Sequence, residues 1–257
     1  MNIEADQPTV ELSIVMPAFN EAAILGQSMS DVVTGLRARG GTFEIIVVEN
    51  GSSDATLTIA HDLERLYPEV RVESLPRANY GAALRHGLLH AVAPVVVNFD
   101  CDYYDIDFLS RAVAMVTPPD GPAVVVGSKR GHGADDKRAL PRRLVTMVFT
   151  TILRLGFGLQ VSDTHGMKAM RRGAVVDAAR RCQLGRDLFD TELILRVERA
   201  GLPTSEVPVT VEERRPARTS ILRRVPRTLI GLAKLWIVIR RTEPRAANTT
   251  AVSNTPR

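Results

Sequence analysis

The stretch that most constrains this chain runs from residue 94 to residue 109 and reads PVVVNFDCDYYDIDFL. Its apolar half has the length and composition of a buried strand, and three acids follow it, Asp100, Asp102 and Asp105. In an open α/β sheet, ligands bind in the crevice beyond the carboxyl ends of the strands. Two aspartates one residue apart can share a hard cation there, and Mg²⁺ takes one or two carboxylates together with substrate phosphate oxygens. The alternative is that Asp102 and Asp105 cap the next helix.

Short apolar segments alternate with helical patterns along most of the chain. This alternation predicts an α/β fold, a Rossmann-like and mostly parallel sheet flanked by helices. Asn20 is expected to cap the first helix. The predicted strands are residues 12–16, 43–48, 70–75, 95–99, 123–127, a short strand within 160–170, and 207–211. The predicted helices are residues 20–36, 54–67, 80–91, 105–116, 142–155, 187–200 and 221–241.

Polar side chains follow three of the predicted parallel strands, and in a parallel sheet these strand ends face one crevice. Each pair alone is more typical of a helix cap. Together they suit a nucleotide that donates hydrogen bonds from its base and ribose, with Mg²⁺ neutralising its diphosphate. Neither a Walker-type loop nor a GxGxxG segment follows the first strand, which argues against P-loop NTPases and dinucleotide-binding enzymes. The three pairs are Asn20/Glu21, Glu49/Asn50 and Asp100/Asp102.

The placement of charge is more informative than the net charge of +4. Residues 214–242 carry nine Lys or Arg and no acid, and such a block favours an anionic partner such as phosphate, anionic lipid or nucleic acid. Cys101 and Cys182 form neither a disulfide framework nor a metal-ligand spacing, which fits a reducing compartment. The polar N-terminus does not resemble a signal peptide, and the longest apolar run is too short to span a bilayer.

The pattern of residues 221–241 predicts a basic amphipathic helix. It is expected either to lie on an anionic membrane surface or to pack on the core with a solvated basic face. The chain is accordingly divided into a flexible segment 1–10, an α/β domain 11–220, the helix 221–242 and a disordered tail 243–257. The residues expected on one apolar stripe are Val225, Leu229, Leu232, Trp236 and Ile239.

Seven segments, in order along residues 12–220, resemble the family 2 glycosyltransferases. Residues 12–25 (LSIVMPAFNEAAIL) and 44–56 (EIIVVENGSSDAT) are similar to the family's opening, 77–81 (RANYG) to its N-x-G segment, and 100–102 (DCD) to its DxD motif. Residues 127–130 (GSKR), 163–170 (DTHGMKAM), and 189–193 (FDTEL) with 206–209 (EVPV) continue the pattern. The latter half most resembles the polyprenyl-phosphate branch, the dolichyl-phosphate mannose and glucose synthases. The chain departs from the family at Glu49-Asn50, where Asp-Asp is usual.

The resemblance implies a GT-A fold, a UDP- or GDP-linked sugar donor, Mg²⁺ or Mn²⁺, and inversion at the anomeric carbon. Asp100 and Asp102 are the expected metal ligands. The basic residues expected at the diphosphate and the lipid phosphate are Lys129 or Arg130, Arg142 or Arg143, and Arg214. The full set of expected donor-binding residues is Pro17, Ala18, Phe19, Glu21, Glu49, Asn50, Asn79, Asp100, Cys101, Asp102, Lys129 and Arg214. The expected catalytic residues are Asp102, Asp190, Arg130 and Arg143.

The acceptor decides whether a general base is needed. A polyprenyl phosphate is already an anionic nucleophile, whereas a soluble hydroxyl acceptor needs a base within hydrogen-bond reach, for which Asp190 or Asp187 are candidates, although Asp187 also suits a helix cap. His165 either contacts phosphate or is incidental, and the Cys101 side chain is expected to point away from the two aspartates.

The leading hypothesis is transfer to polyprenyl phosphate by a cytoplasmic protein held peripherally on the inner face of the cell membrane. This hypothesis includes no nucleic-acid partner and is compatible with a homodimer. The rival from another class is a non-catalytic protein that binds nucleotide or lipid.

Overall fold

The computed structural model describes residues 9–128, 140–185, 188–209 and 221–242, with the backbone alone for residues 140–146 and 221–228. Strands and helices alternate through the first two thirds of the chain, as predicted. The elements are β1 (Leu12–Ala18), α1 (Leu25–Arg39), β2 (Phe43–Asn50), α2 (Thr56–Leu66), β3 (Val70–Leu75), α3 (Tyr80–His90), β4 (Val95–Asn98) and α4 (Ile106–Val116). They continue as β5 (Val124–Ser128), α5 (Leu140–Phe157), β6 (Lys168–Arg171), α6 (Arg172–Arg181), α7 (Phe189–Arg199), β7 (Thr204–Pro208) and α8 (Ile221–Thr242).

The strands form one seven-stranded sheet in the order β3-β2-β1-β4-β6-β5-β7. All neighbouring pairs are parallel except those made by β6, which lies antiparallel between β4 and β5. The predicted mostly parallel sheet is therefore confirmed. β1 is paired with β2 on one side and β4 on the other, so the three strands with polar carboxyl ends are direct neighbours.

Both faces of the sheet are covered by helices, which explains why the central strands read as continuous apolar runs. In β4, Val95 and Val97 pack in the layer beneath α1, α2 and α4, and Val96 packs in the layer beneath α3, α6 and α7. Helix α3 lies especially close to β1, because a Cβ at Gly87 would collide with the side chain of Val15. This close approach places the first turn of α3 beside the carboxyl end of β4.

The structure differs from the predicted elements at α1, at α6 and at β7, which spans Thr204–Pro208 and not residues 207–211. Helix α1 begins at Leu25, with Ile24 in the capping position and no side-chain cap, so Asn20 is not its cap. Asn20 instead adopts a left-handed backbone conformation with φ 54° that turns the chain after β1. Helix α6 was not predicted, because its ten residues form fewer than three turns and directly follow β6.

Helix α8 spans Ile221–Thr242, and the apolar stripe expected on it is buried along only one of its sides. Leu232 and Ile239 are buried together with Leu235, whereas Leu229 and Trp236 are exposed. The expected single stripe is therefore divided between a face packed on the core and a face in solvent, and the side chain of Val225 lies outside the described residues. None of the helices in the described ranges combines the length and the apolarity needed to cross a membrane.

Candidate active site

The candidate site lies at the carboxyl ends of β2, β1 and β4. The register pairs Ala18 of β1 with Glu49 of β2, and Val15 of β1 with Asn98 of β4. The loops that leave these strands therefore start side by side. This is the part of a parallel sheet at which open α/β proteins bind their ligands, and most of the residues expected to bind the donor are brought together here.

Glu49 is fixed at the end of β2 with 2% of its surface exposed. Its carboxylate accepts a hydrogen bond from the backbone N–H of Ser52 and one of 3.0 Å from the hydroxyl of Ser74. Burial works to raise the pKa of Glu49, but the bonds from Ser52 and Ser74 outweigh it, and the pKa lies below its usual value. Glu49 therefore carries its negative charge throughout the neutral range.

The side chain of Asn50 joins two of the loops that border the site. Its Nδ2 donates to the carbonyl of Ala18 over 2.8 Å, and its Oδ1 accepts from the backbone N–H of Asn79 over 2.9 Å. Asn79 in turn caps α3 through a bond from Ala82 N–H. An ionised aspartate cannot donate to a carbonyl oxygen, which gives a physical reason for asparagine where the family usually has aspartate.

The loop after β1 is held by the loop after β2. The backbone N–H of Asn20 donates to the hydroxyl of Ser52 over 2.9 Å, and Asn20 Oδ1 accepts from Ser53 N–H over 2.8 Å. The backbone N–H of Glu21 donates to Thr56 over 2.8 Å. Phe19 remains 37% exposed at this position. The two loops therefore form one joined rim beside Glu49.

Residues 100–103 form a tight turn that separates the two aspartates. The N–H of Asp100 donates to the carbonyl of Tyr103, and that of Tyr103 to the carbonyl of Asp100, each over 3.1 Å. Asp102 is exposed at the turn, whereas Cys101 is 3% exposed and its Sγ lies 3.5 Å from the carbonyl of Pro17. Cys101 thus packs inward as expected. Asp105, not Asp102, caps α4, by accepting from the N–H groups of Asp107 and Phe108.

Asp100 turns towards α3, where the hydroxyl of Tyr80 donates to its Oδ1 over 2.9 Å. Removal from water raises the pKa of Asp100 to about 6, against the lowering effect of the Tyr80 bond. The negative charges of Asp190 and Asp102 raise it further, and the charge of Lys168 lowers it. The acids thus place more negative charge here than the nearby described residues balance, as a cation site requires.

Asp100 and Asp102 suit a divalent cation that takes only a few ligands from the protein and the rest from substrate. Asp100 and Asp102 supply only oxygen ligands, the chemistry that Mg²⁺ and Mn²⁺ prefer. Within the described ranges, no group of three or more His, Cys, Asp or Glu side chains could hold a metal ion by itself. A cation at Asp100 and Asp102 would therefore depend on phosphate oxygens of a bound nucleotide to complete its coordination.

Asp190 lies near Asp100 but is not open to the crevice. It is on the first turn of α7, with 2% of its surface exposed. Its Oδ1 accepts a 2.7 Å bond from the ammonium of Lys168, which is itself fully buried. The electrostatic influence of Asp190 reaches both Tyr80 and Asp100. Asp190, the predicted base, therefore forms a buried ion pair with Lys168.

Residues 163–167 form a loop that leads into β6. Asp163 is 5% exposed, and its Oδ1 accepts from the backbone N–H of His165 over 3.0 Å. The His165 ring lies 5.9 Å from that of Phe149 on α5. The structure thus shows His165 in contact with its own loop and with α5.

The basic residues predicted at the diphosphate and the lipid phosphate are not described at side-chain level. Their roles, and that of Asp187, stay predictions. The residues that lie outside the described ranges are Lys129, Arg130, Asp187 and Arg214, and Arg142 and Arg143 lie in the part of α5 for which the backbone alone is described.

Sequence reasoning missed three residues that the structure places around the acids: Tyr80, Ser74 and Lys168. Two of them lie within segments that carry the family resemblance, Tyr80 in RANYG and Lys168 in DTHGMKAM. A lysine in a short buried strand is itself a signal, because lysine is almost never fully buried unless it is paired. Nothing in the sequence around Ser74 indicates its bond to Glu49.

Comparison with known proteins agrees with this geometry. The family model "Glycosyl transferase family 2" matches residues 13–178. A dolichyl-phosphate beta-glucosyltransferase of Drosophila melanogaster is 31% identical over 228 residues, covering 79% of this chain and 68% of that protein. An uncharacterised glycosyltransferase of Mycobacterium tuberculosis is 30% identical over 233 residues, covering 89% of this chain and 97% of the relative.

Two solved structures show the same fold at lower identity. Glucosyl-3-phosphoglycerate synthase from Mycobacterium tuberculosis, in complex with Mn²⁺, UDP-glucose and phosphoglyceric acid, is 21% identical with a TM-score of 0.57, covering 88% of this chain and 80% of that one. The mannosyltransferase PcManGT from Pyrobaculum calidifontis, in complex with GDP-mannose and Mn²⁺, is 20% identical with a TM-score of 0.62, covering 94% and 67%. The predicted GT-A fold is confirmed, and the chain is a glycosyltransferase that belongs to glycosyl transferase family 2.

Proposed function

We propose that this enzyme transfers a hexosyl group from a nucleotide-diphosphate sugar to a polyprenyl phosphate, in a divalent-cation-dependent step that inverts the anomeric carbon. The observation that carries the proposal is the similarity, over most of the chain, to dolichyl-phosphate beta-glucosyltransferases from several organisms. The arrangement of the site supports it in three respects, which concern the donor, the acceptor and the membrane.

The donor is supported by the carboxylates at the neighbouring strand ends. Glu49, held ionised by its hydrogen bonds, suits a base that presents ring N–H donors, which uracil and guanine both do. Asp100 and Asp102 suit the ribose and the cation that accompanies the diphosphate. When bound, that cation would supply charge stabilisation for the departing nucleoside diphosphate. The neighbours with the same fold are described in complex with Mn²⁺ and UDP-glucose or GDP-mannose.

The acceptor is supported by the state of Asp190. A hydroxyl acceptor would need a base within hydrogen-bond reach, and Asp190 is buried and paired with Lys168. A lipid phosphate is ionised near neutral pH and can attack the anomeric carbon without giving up a proton. A single in-line displacement then inverts that carbon.

A membrane location is supported by the solvent face of α8. Leu229, Ile230, Trp236 and Ile237 are each more than 40% exposed, and the guanidinium of Arg240 lies 3.9 Å from the centre of the Trp236 ring. Apolar and aromatic side chains flanked by basic ones are typical of helices that lie in the headgroup region of anionic membranes. This surface would bring the site to a lipid-linked acceptor on the cytoplasmic face.

The test is a transfer assay on the full-length protein with Mn²⁺ or Mg²⁺ in detergent. UDP-glucose, UDP-N-acetylglucosamine and GDP-mannose are each supplied with polyprenyl phosphate, with the matching neutral polyprenol, or with 3-phosphoglycerate. Release of nucleoside diphosphate and formation of a glycolipid are expected with polyprenyl phosphate alone, because only this acceptor combines the lipid tail with an anionic nucleophile.

Two variants control for the site. Asp102→Asn should abolish transfer, whereas Asp107→Asn, which removes a nearby carboxylate that is 77% exposed on α4, should not change it. Equal rates with polyprenol or with 3-phosphoglycerate would instead assign a hydroxyl acceptor and contradict the proposal.

A further inference from the structure

A buried lysine lies beneath the acids of the candidate site and has more than one acceptor within reach. Lys168 of β6 pairs in register with Asn98 of β4. Because side chains alternate along a strand, Asn98 and Asp100 lie on the same side of the sheet as Lys168. The ammonium donates to Asp190 over 2.7 Å and to the carbonyl of Gly166 over 2.8 Å.

Two polar groups on the same side of the sheet, the amide of Asn98 and the carboxylate of Asp100, do not bond to the Lys168 ammonium. Asn98 is fully buried and donates its Nδ2 to the carbonyl of Gly166 over 3.2 Å, yet its Oδ1 has no hydrogen-bond partner. Lys168 also influences Asp100 electrostatically without bonding to it. The ammonium is thus held on the α7 side of the cluster, although an amide oxygen and a carboxylate lie along the strand that it pairs with.

The negative charge of Asp190 explains why the ammonium lies on the α7 side. Its carboxylate holds a buried ammonium more strongly than the amide oxygen of Asn98 could, since charge-assisted bonds are about twice as strong as neutral ones. Without that negative charge, the strongest remaining acceptor on the same face would be Asp100. An ammonium bonded to Asp100 would occupy the oxygen that a divalent cation needs and would repel the cation as well.

We propose that Asp190 is a positioning residue that holds the ammonium of Lys168 away from Asp100 and so keeps Asp100 free for the cation. The inference rests on the proposed function, because it takes Asp100 as a ligand of the cation that accompanies the donor. It assigns to Asp190 a role that differs from that of a general base. Neither Asp190 nor Lys168 touches substrate in this role.

The experiment asks whether removing the lysine rescues the aspartate variant, with cation affinity as its first readout. Mn²⁺ is titrated by electron paramagnetic resonance in the presence of UDP into the wild type, Asp190→Asn and the double variant Lys168→Met/Asp190→Asn. Transfer activity is measured on the same preparations, and circular dichroism reports folding. Glu192→Gln is the matched control, because it removes a charge from the other buried pair of α7, that with Arg196.

The single variant is expected to lose Mn²⁺ affinity, and the double variant is expected to regain it. Asp190→Asn should weaken Mn²⁺ binding about tenfold or more, the size of coupling seen between interacting charges, because Lys168 is released towards Asp100. The double variant has no ammonium to misplace and should bind Mn²⁺ within about threefold of the wild type, with transfer activity restored. Glu192→Gln should lose stability but keep its Mn²⁺ affinity.

Three outcomes would overturn the proposal. If the double variant is folded but fails to bind Mn²⁺, removal of the lysine does not rescue the site and Asp190 acts in another way. If it binds Mn²⁺ but stays inactive, Asp190 is the general base. If Asp190→Asn binds Mn²⁺ as the wild type does, Lys168 does not compete for Asp100. A wild type that binds no Mn²⁺ with UDP is distinct from these, since it contradicts the proposed function itself.

Discussion

The hydroxyl of Tyr80 donates a 2.9 Å hydrogen bond to Oδ1 of Asp100 and thereby joins the first turn of α3 to the end of β4. The bond favours the ionised form of Asp100 and partly offsets the cost of removing that carboxylate from water. It also orients the carboxylate that is proposed as a cation ligand.

Replacing Tyr80 with phenylalanine should make the enzyme more sensitive to acid. Loss of the bond raises the pKa of Asp100 beyond its present value of about 6, so the acid limb of kcat/KM against pH moves to higher pH. We expect activity at pH 6 to fall about tenfold, as for loss of a hydrogen bond to a charged group. Tyr104→Phe is the control, because Tyr104 makes a similar bond to Asp31 away from the site. An unchanged acid limb in Tyr80→Phe would show that Asp100 does not govern it.

Asp100→Asn should stabilise the cation-free protein while abolishing its activity. The pKa of Asp100 is about 6 in the folded protein against a usual 3.8, so ionised Asp100 destabilises the fold. That cost is absent below pH 4, grows as pH rises through the interval between the two values, and reaches at most about 3 kcal/mol above pH 6. Thermal unfolding without cations should therefore show a raised Tm at pH 7.5 and no change at pH 4. A lower Tm at pH 7.5 would contradict the conclusion that ionised Asp100 destabilises the fold.

Asn50→Asp should weaken the fold most at high pH, although it restores the residue usual in the family. The carboxylate cannot donate to the carbonyl of Ala18, and the two oxygens repel each other in a buried position. We expect the free energy of unfolding to fall by about 2 kcal/mol at pH 8. At pH 5 the loss should be smaller, because a protonated carboxyl can donate. Denaturant titrations at both values test this, and a loss independent of pH would refute the explanation.

Variants at two adjacent residues of α8 should distinguish the contribution of this helix to core packing from its contribution to membrane binding. Leu235 is fully buried against the core, so Leu235→Ala should lower the free energy of unfolding by about 2–5 kcal/mol. Trp236 is 44% exposed, so Trp236→Glu should leave stability nearly unchanged but weaken binding to vesicles that contain anionic lipid. Co-sedimentation with vesicles measures the second effect. Equal vesicle binding by Trp236→Glu and the wild type would remove the exposed face of α8 as a membrane contact.

Much of the fold followed from local pattern. The runs that became β1, β2, β4 and β5 are mostly apolar and short, and their alternation with helices implied a parallel sheet covered on both faces. The same pattern placed Glu49, Asn50, Asp100 and Asp102 at strand ends, because the carboxyl ends of parallel strands share one edge. The capping of α4 by Asp105 was also predictable, since an N-cap acts within three residues of itself.

The tertiary structure decided what depends on partners distant in sequence. Asn20 could not be recognised as a loop residue, because the serines that hold it lie 32 and 33 positions away on the next loop. The two faces of α8 could not be assigned from periodicity, because both are apolar and only contact with the core separates Leu232 from Trp236.

The sequence by itself determined which acids reach the site: a strand fixes the position of the residue that follows it. It could not determine what each acid does there, as Asp190 shows. Its role depends on a lysine 22 residues away in an antiparallel strand, and the strength of that bond depends on the removal of both groups from water. Charge interactions are set by distance and solvent exposure, and both are properties of the folded chain.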